Sequence, residues 1–559
     1  MEGRLGLVRD PVFGSSAPPW QGADTRRLLA MMIAALVLFA YGLGVGTLWD
    51  QDEAKYTQVA VELLRTRDPF TLVFNGEPWF VHPPLYMWLQ AATGWLFGFT
   101  EFTARIWSAI SGAAVVGVTF LLGRFLYDSR TGLLASVVLA TTIQVVVQSR
   151  LAVFDPTLLA FMLAAFYMFL VAGASGSRRA SLWAWAWAGL ATATKGPIGL
   201  LLPAMVITAV ALVRGRFARP TRRDLPLLGL ALFVVIGLHW YVIETVRHGL
   251  PFVRTVVGQY LLGRFFGVVD NQAGPWWYYG PVLLVGAFPW TGFLLPALVY
   301  HLWRRREFAS QVILLWIGIT LAFYTAAATK LPNYVLPVYP FLAIAVGRLC
   351  VAGLDGRSAD VQRLLRWAFA LMPTGTAVLV AALAVLGSIR HPAELTPLRT
   401  PLLIIAGVFA AGPLAALALY LWRRPGLALA TLAATIAAVL PVLIHHTLPA
   451  IEAHRPLPRI AERLRQHLRP DDGLAVLMPE TASLVYYTQH QVIWVEDPVE
   501  LDRAVCRYDR LFVVVPDHKY QTWVASRLPA AARQQGAEGP YRILLKDGAT
   551  PCAGALPDR

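Results

Sequence analysis

Charge is scarce in this chain. Only 14% of its 559 residues are Asp, Glu, Lys or Arg, 57% are hydrophobic, and the mean hydropathy is +0.55. That balance excludes both an ordinary soluble globular protein and a disordered one. Lysine is scarcer still: there are five, against 43 arginines, and only Lys55, Lys195 and Lys330 precede residue 450. No nucleotide-type glycine fingerprint opens the last hundred or so residues. No soluble stretch interleaves a basic surface with exposed aromatics, which excludes a nucleic-acid module despite the formal charge of +15.

What is present in their place is a series of long apolar runs. Crossing a hydrocarbon core of ~30 Å takes about 20 mostly apolar residues. About thirteen such runs can be read, near 28–46, 104–123, 132–149, 155–172, 181–194, 197–213, 225–243, 277–299, 311–328, 334–352, 367–387, 401–421 and 427–447. The chain reads as an α-helical polytopic membrane protein with a short cytoplasmic tail (1–27), a membrane domain (28–450) and a small soluble α/β domain (451–559). The first run follows Arg26-Arg27 but has no small-residue cleavage pattern, so it is read as a retained helix. With the N-terminus inside, the strongly basic short loops (Arg124 and Arg130, Arg178-Arg179, RGRFARPTRR at 214–223, Arg304-Arg305-Arg306, Arg357 with Arg363, Arg423-Arg424) all fall on the cytoplasmic side. The C-terminal domain then lies outside, in the periplasm or its equivalent.

The three early lysines fall on the opposite, outer face, where membrane orientation does not explain them. The same face collects the first outer loop, 47–103, which begins WDQDEAKY with Asp50, Asp52, Glu53 and Lys55. In YTQVAVELLRT, Val59 and Leu63 recur at helical spacing with Glu62 and Arg65 opposite, the pattern of a helix lying in the interface plane. Pro83-Pro84 would break the chain before a second such helix. Asp155 opens the fourth run from outside, an outer loop near 244–276 holds Glu244, Arg254, Arg264 and Asp270 before the aromatic belt PWWYY, and Lys330 sits in the proline-rich ATKLPNYVLPVYP with Tyr334. Glu62, Arg65 and Arg254 read as interface anchors. Asp52, Glu53 and the lysines read as functional groups, because ionisable residues at membrane depth are costly; His82 fits either role.

A carboxylate there can act as general base on an acceptor hydroxyl while lysines and arginines hold a phosphate leaving group whose charge grows in the transition state. A lipid-linked sugar phosphate would reach this depth. Lys55 favours the ionised carboxylate and burial beside Glu53 opposes it; which carboxylate is the base stays open.

WDQDEAKYTQVAVELL, NGEPWFVHPPLYMWLQ and GFTEFTARIWSAISG together resemble the first outer loop of the aminoarabinose transferase and protein mannosyltransferase-like glycosyltransferases of GT-C fold. So do Asp155 in RLAVFDPTLLAF, ATKGPIGLLLP around Lys195 and TKLPNYVLPVYPFLA around Lys330. The resemblance is strong over 28–350 and weaker beyond. It implies transfer of a sugar from a polyprenyl-phosphate donor, undecaprenyl phosphate or similar, to a lipid (lipid A-like), glycan or protein acceptor outside the inner membrane. It implies Asp52 as the acidic catalytic residue with Glu53 beside it, Lys55 as a donor-phosphate ligand and Arg264 as a further one; His82, Asp155, Lys195, Lys330 and Tyr334 are candidate donor-phosphate or substrate ligands beside them. One departure stands out: the aminoarabinose branch has an acidic residue and a lysine before the double proline, and here Val81-His82 stand there. That removes a carboxylate that could hold a divalent metal and leaves a cation only when His82 is protonated.

The competing reading is a transporter or flippase for a lipid-linked saccharide, with the same groups as binding residues. Clustering of the charges on one side, with no evident inverted repeat, favours the enzyme. A ligase that joins a whole oligosaccharide to an acceptor fits the same residues. In the C-terminal segment the apolar runs LAVLM, QVIWVE, RLFVVV and YRILLK alternate with helix-like stretches, predicting a mainly parallel sheet. Cys350 reads as a packed small residue, and Cys506 and Cys552, outside, as a disulfide pair.

Overall fold

The computed structural model describes residues 20–548 except Gln51, 216–225, Asp270, Arg357, 378–380, 382–395, Ser526 and 529–531. Most of the N-terminal tail, most of RGRFARPTRR, Asp270, Arg357, much of the 367–387 run and Cys552 therefore lie outside the described residues. Cys350 is a buried free thiol and Cys506 is disulfide-bonded. The chain divides into two compact units, one made of 1–43, 80–89 and 105–447, the other of 44–79, 90–104 and 448–559.

The first unit is helical. Among the described residues six helices are long and apolar enough to cross a membrane: Glu101–Leu126, Asp155–Ser175, Leu227–Phe266, Phe308–Ala326, Arg399–Leu421 and Pro425–Glu452. A seventh candidate, Tyr279–Gly286 with Thr291–Trp303, is bent by 111°. Other apolar runs are carried by shorter or broken helices, such as Ser129–Ala140 followed by Ile143–Gln148. Val338–Leu354 is apolar but for Arg348, which pairs with Asp128 at 3.4 Å, and is buried along most of its length; Trp316 stacks on its Phe341 at 4.4 Å between ring centroids.

Helix ends explain several charges that composition had assigned to topology. Gly22–Ala40 starts with the buried Asp24, which accepts from Arg124 at 3.0 Å and Ser129 at 2.6 Å. Arg124 is thus an interior partner as well as a cation near a helix end. At the other end Arg150 donates to the carbonyls of Phe39 (2.8 Å) and Tyr41 (2.7 Å), and Arg105 to that of Leu43 (3.1 Å), satisfying acceptors that the finished helix cannot. The outer loop expected near 244–276 is helical as far as Phe266. Its helix kinks at Gly249, whose φ of +61° suits glycine, just ahead of Pro251. Glu244, fully buried, pairs along this helix with Arg247 (3.8 Å) and His248 (3.4 Å).

The second unit contains a hairpin, β1 (Val73–Phe74) with β2 (Glu77–Pro78), and a five-stranded sheet. The sheet comprises β3 (Gly473–Val476), β4 (Ile493–Trp494), β5 (Arg510–Pro516), β6 (Arg533–Glu538) and β7 (Tyr541–Asp547), in the order β4-β3-β5-β7-β6. It is parallel only across β4-β3-β5. β7 runs antiparallel to β5, and β6 antiparallel to β7. The expected mainly parallel sheet is therefore a mixed one, because RQQGAE forms a strand that composition conceals: it is polar and exposed, a sheet edge without apolar alternation. β5 is buried along nearly its whole length, consistent with its unbroken apolar run. Asp52–Thr66, expected to lie in the interface plane, is instead buried on most of its surface, Tyr56, Val59, Ala60 and Leu63 included, and packs against Ala482–Thr488.

Candidate active site

Two groups of side chains are candidates for the chemistry, one in each unit. In the membrane unit Asp155 begins the Asp155–Ser175 helix, with Pro156 pre-set for a first helical turn. Its carboxylate is 6% exposed and fully engaged: Oδ1 accepts from Lys195 Nζ at 2.5 Å and Oδ2 from Asn333 Nδ2 at 3.0 Å. Lys195 is the last residue of Arg178–Lys195, where Gly196 at φ +96° ends the helix. Its ammonium also lies over the rings of Phe154 (4.7 Å) and Tyr334 (5.3 Å). Asn333 and Tyr334 come from the 3-10 turn Pro332–Val335, the irregular backbone that the prolines announced. Arg264 Nη1 donates to Tyr334 Oη at 3.1 Å.

Lys195, Arg264 and Tyr334 border an open cavity. Its lining includes His82, Lys195, Tyr241, Tyr260, Arg264, Tyr324 and Tyr334 among apolar neighbours such as Val81, Ile198 and Phe265, and none of the described lining residues is acidic. His82 packs edge-on against Phe154, with ring centroids 4.5 Å apart. The structure thus joins four of the expected ligands, His82, Lys195, Arg264 and Tyr334. The cavity tyrosines 241, 260 and 324 escaped the sequence reading, since nothing local separates a lining tyrosine from a belt tyrosine.

Two other expected ligands are engaged by protein groups away from the described cavity lining. Asp155 is not on the cavity lining; as a buried acceptor it positions Lys195 and Asn333. Lys330, 6% exposed, donates to the carbonyls of Thr325 (3.0 Å) and Ala327 (2.6 Å) at the end of Phe308–Ala326. A compact cation against the negative end of a helix explains this lysine without a ligand.

In the second unit Asp52 and Glu53 open the Asp52–Thr66 helix and differ sharply. Asp52 is exposed, its Oδ1 accepting from Tyr56 Oη at 3.0 Å. Glu53 is 2% exposed and its Oε2 accepts the Trp49 N–H at 3.0 Å, a carboxylate fastening the start of its own helix. Lys55 is ion-paired with Glu480 at 2.7 Å and lies over the Phe74 ring at 5.3 Å. Glu480 belongs to the C-terminal segment, and no sequence signal linked the two. Among the described residues no three His, Cys, Asp or Glu side chains converge as a metal site would need. With Val81 where the resemblance has a carboxylate, the described residues do not make a metal-binding set.

A family profile described as dolichyl-phosphate-mannose-protein mannosyltransferase matches residues 81–241. An undecaprenyl phosphate-alpha-4-amino-4-deoxy-L-arabinose arabinosyl transferase of Pseudomonas paraeruginosa is 32% identical over 426 residues, 73% of this chain and 76% of that protein. The chain belongs to the aminoarabinose transferase family. It is a membrane-embedded glycosyltransferase of the GT-C class. A relative of the same description from Pseudomonas fluorescens Pf0-1 is 28% identical over 466 residues, 82% of this chain and 77% of the relative. The fold agrees with a crystal structure of ArnT from Cupriavidus metallidurans bound to undecaprenyl phosphate, with a TM-score of 0.80 at 22% identity, covering 94% of this chain and all of that one. An oligosaccharyltransferase from Archaeoglobus fulgidus shares the architecture more distantly, with a TM-score of 0.51 at 14% identity over 88% of this chain and 70% of that one.

Proposed function

We propose that this glycosyltransferase moves a single sugar from a polyprenyl phosphate of the undecaprenyl type to a lipid acceptor of the lipid A kind, or to a glycan or protein, on the extracytoplasmic face. The N-terminus is then cytoplasmic and the 451–559 domain periplasmic. The observation that carries the reading is the cavity that gathers Lys195, Arg264 and the Tyr334 hydroxyl on a lining with no acid among its described residues. Two fixed cations and a hydroxyl in apolar surroundings suit a phosphate far better than a cation or a neutral ligand. Lys195 has three N–H donors and gives one to Asp155, so others remain for phosphate oxygens.

In the reaction the acceptor hydroxyl attacks the anomeric carbon, the bond from that carbon to the phosphate oxygen breaks, and the polyprenyl phosphate leaves with the electron pair. Asp52, the exposed carboxylate, takes the hydroxyl proton. Glu53, tied to the Trp49 amide, supports the turn. Lys195 and Arg264, with His82 when protonated, offset the charge growing on the phosphate. Lys55 takes a phosphate only by exchanging Glu480 for it. A single displacement inverts the anomeric centre.

The test compares envelope lipids and glycans by mass spectrometry in a deletion strain complemented with wild type or with Asp52→Asn. Wild type restores a one-sugar mass increment; Asp52→Asn does not, and a polyprenyl-phosphate sugar accumulates. Full restoration by Asp52→Asn removes Asp52 as the base.

A further inference from the structure

The residues just before Asp52 are held by one side chain from far along the chain. Arg455 stands at the N-cap of Pro456–Arg465. Its guanidinium is 14% exposed and closes around residues 47–50. Nη1 donates to Thr47 Oγ1 (2.6 Å), to the Thr47 carbonyl (3.3 Å) and to Glu452 Oε1 (2.9 Å), and Nη2 donates to the Leu48 carbonyl (3.0 Å). The plane lies over the Trp49 ring at 4.6 Å, and Asp50 Oδ2 is 3.9 Å from Nη2.

Other bonds complete the grip. Glu452 Oε2 accepts from Thr47 Oγ1 at 2.7 Å, and Asp50 Oδ1 accepts the Ser483 N–H at 2.9 Å. The Leu48 N–H donates to Tyr487 Oη at 2.7 Å, and that hydroxyl donates to Glu101 Oε1 at 3.0 Å. Burial and the Glu101 carboxylate push the Tyr487 phenol well above its ordinary pKa, so it stays a donor. Gly46 sits at φ +79° with Glu452 Oε1 3.4 Å from where a Cβ would be.

A planar five-donor fork that spans two carbonyls, a hydroxyl and two carboxylates fixes backbone direction, which a point-charge lysine cannot do. We infer that Arg455, assisted by Tyr487, is a positioning residue for Asp52: the junction between the last membrane helix and the C-terminal domain sets the attitude of the turn that presents the reactive carboxylate. Neither side chain meets the reacting atoms in this account. The inference rests on Asp52 as the base, and it gives the C-terminal segment a role in the reaction.

The test uses the full-length protein in nanodiscs, with the polyprenyl-phosphate sugar fraction accumulated by the Asp52→Asn strain as donor. Arg455→Ala lowers kcat on the order of 100-fold, as a misplacement of about 1 Å does, and leaves the donor KM and the affinity for undecaprenyl phosphate within about twofold. Arg455→Lys falls in between, and Tyr487→Phe loses a smaller factor in kcat alone; these milder variants carry the test if Arg455→Ala does not fold. Wild-type kcat in all three with an inactive Asp52→Asn overturns the positioning role and leaves the function intact. An active Asp52→Asn overturns both.

Discussion

Replacing Lys195 by methionine removes the cation from a pair that the interior keeps nearly dry. The side chain of Asp155 is 7% exposed and that of Lys195 17%, with 2.5 Å between Oδ1 and Nζ. After the change Asp155 retains, among the described residues, the Asn333 amide at 3.0 Å. Breaking a buried pair by deleting one partner costs about 3–5 kcal/mol, most of it the penalty of the charge left behind. The double variant Asp155→Leu/Lys195→Met leaves no orphaned charge, so most of that loss returns and the double-mutant cycle shows a coupling of about 2–3 kcal/mol. Equilibrium unfolding in a fixed mixed micelle reads the stabilities, and donor titration in nanodiscs reads the kinetics. If Lys195 is a phosphate ligand, the double variant regains stability while its donor KM stays raised. Recovery of both assigns Lys195 to structure alone. Single losses below about 0.5 kcal/mol that add in the double variant would refute the buried-pair argument itself.

Three further outcomes follow from particular contacts. Lys330→Met removes two charge-assisted bonds to the Thr325 and Ala327 carbonyls, so stability drops by about 2–4 kcal/mol while donor KM is unchanged in the folded fraction; a raised KM at native stability would restore Lys330 as a ligand. Gly46→Ala puts a side chain at φ +79° and costs about 1–2 kcal/mol in the same unfolding assay; an unchanged midpoint would mean that the turn relaxes. Glu480→Gln breaks an ion pair whose acid is 45% exposed, so stability changes by less than about 1 kcal/mol, and donor KM falls if Lys55 is thereby released to phosphate. An unchanged KM would leave Lys55 to the Glu480 contact alone.

Hydropathy and arginine placement are local properties, and from them the membrane class, most helices and a separate α/β segment could be read. The same holds for the residue types to watch: His82, Lys195, Arg264 and Tyr334 do line one cavity. Three things were not legible. Lys195 and Lys330 look alike in sequence, each a rare lysine in a proline-bordered break, yet one borders the cavity and the other caps a helix. Asp52 and Glu53 are adjacent, yet helix geometry exposes one and turns the other back onto the Trp49 amide. RQQGAE carries no strand pattern because an edge strand owes its structure to its neighbour's hydrogen bonds.

The sequence by itself determined which segments leave water and which few charges had to find partners there, because transfer from water depends on composition within a span of about twenty residues. Only the tertiary structure decided which partner each charge found. Asp155 meets Lys195 from 40 residues away, and Thr47 meets Arg455 from 408. A buried charge accepts whichever satisfying group the folded chain brings within about 3 Å, and no periodicity records that meeting.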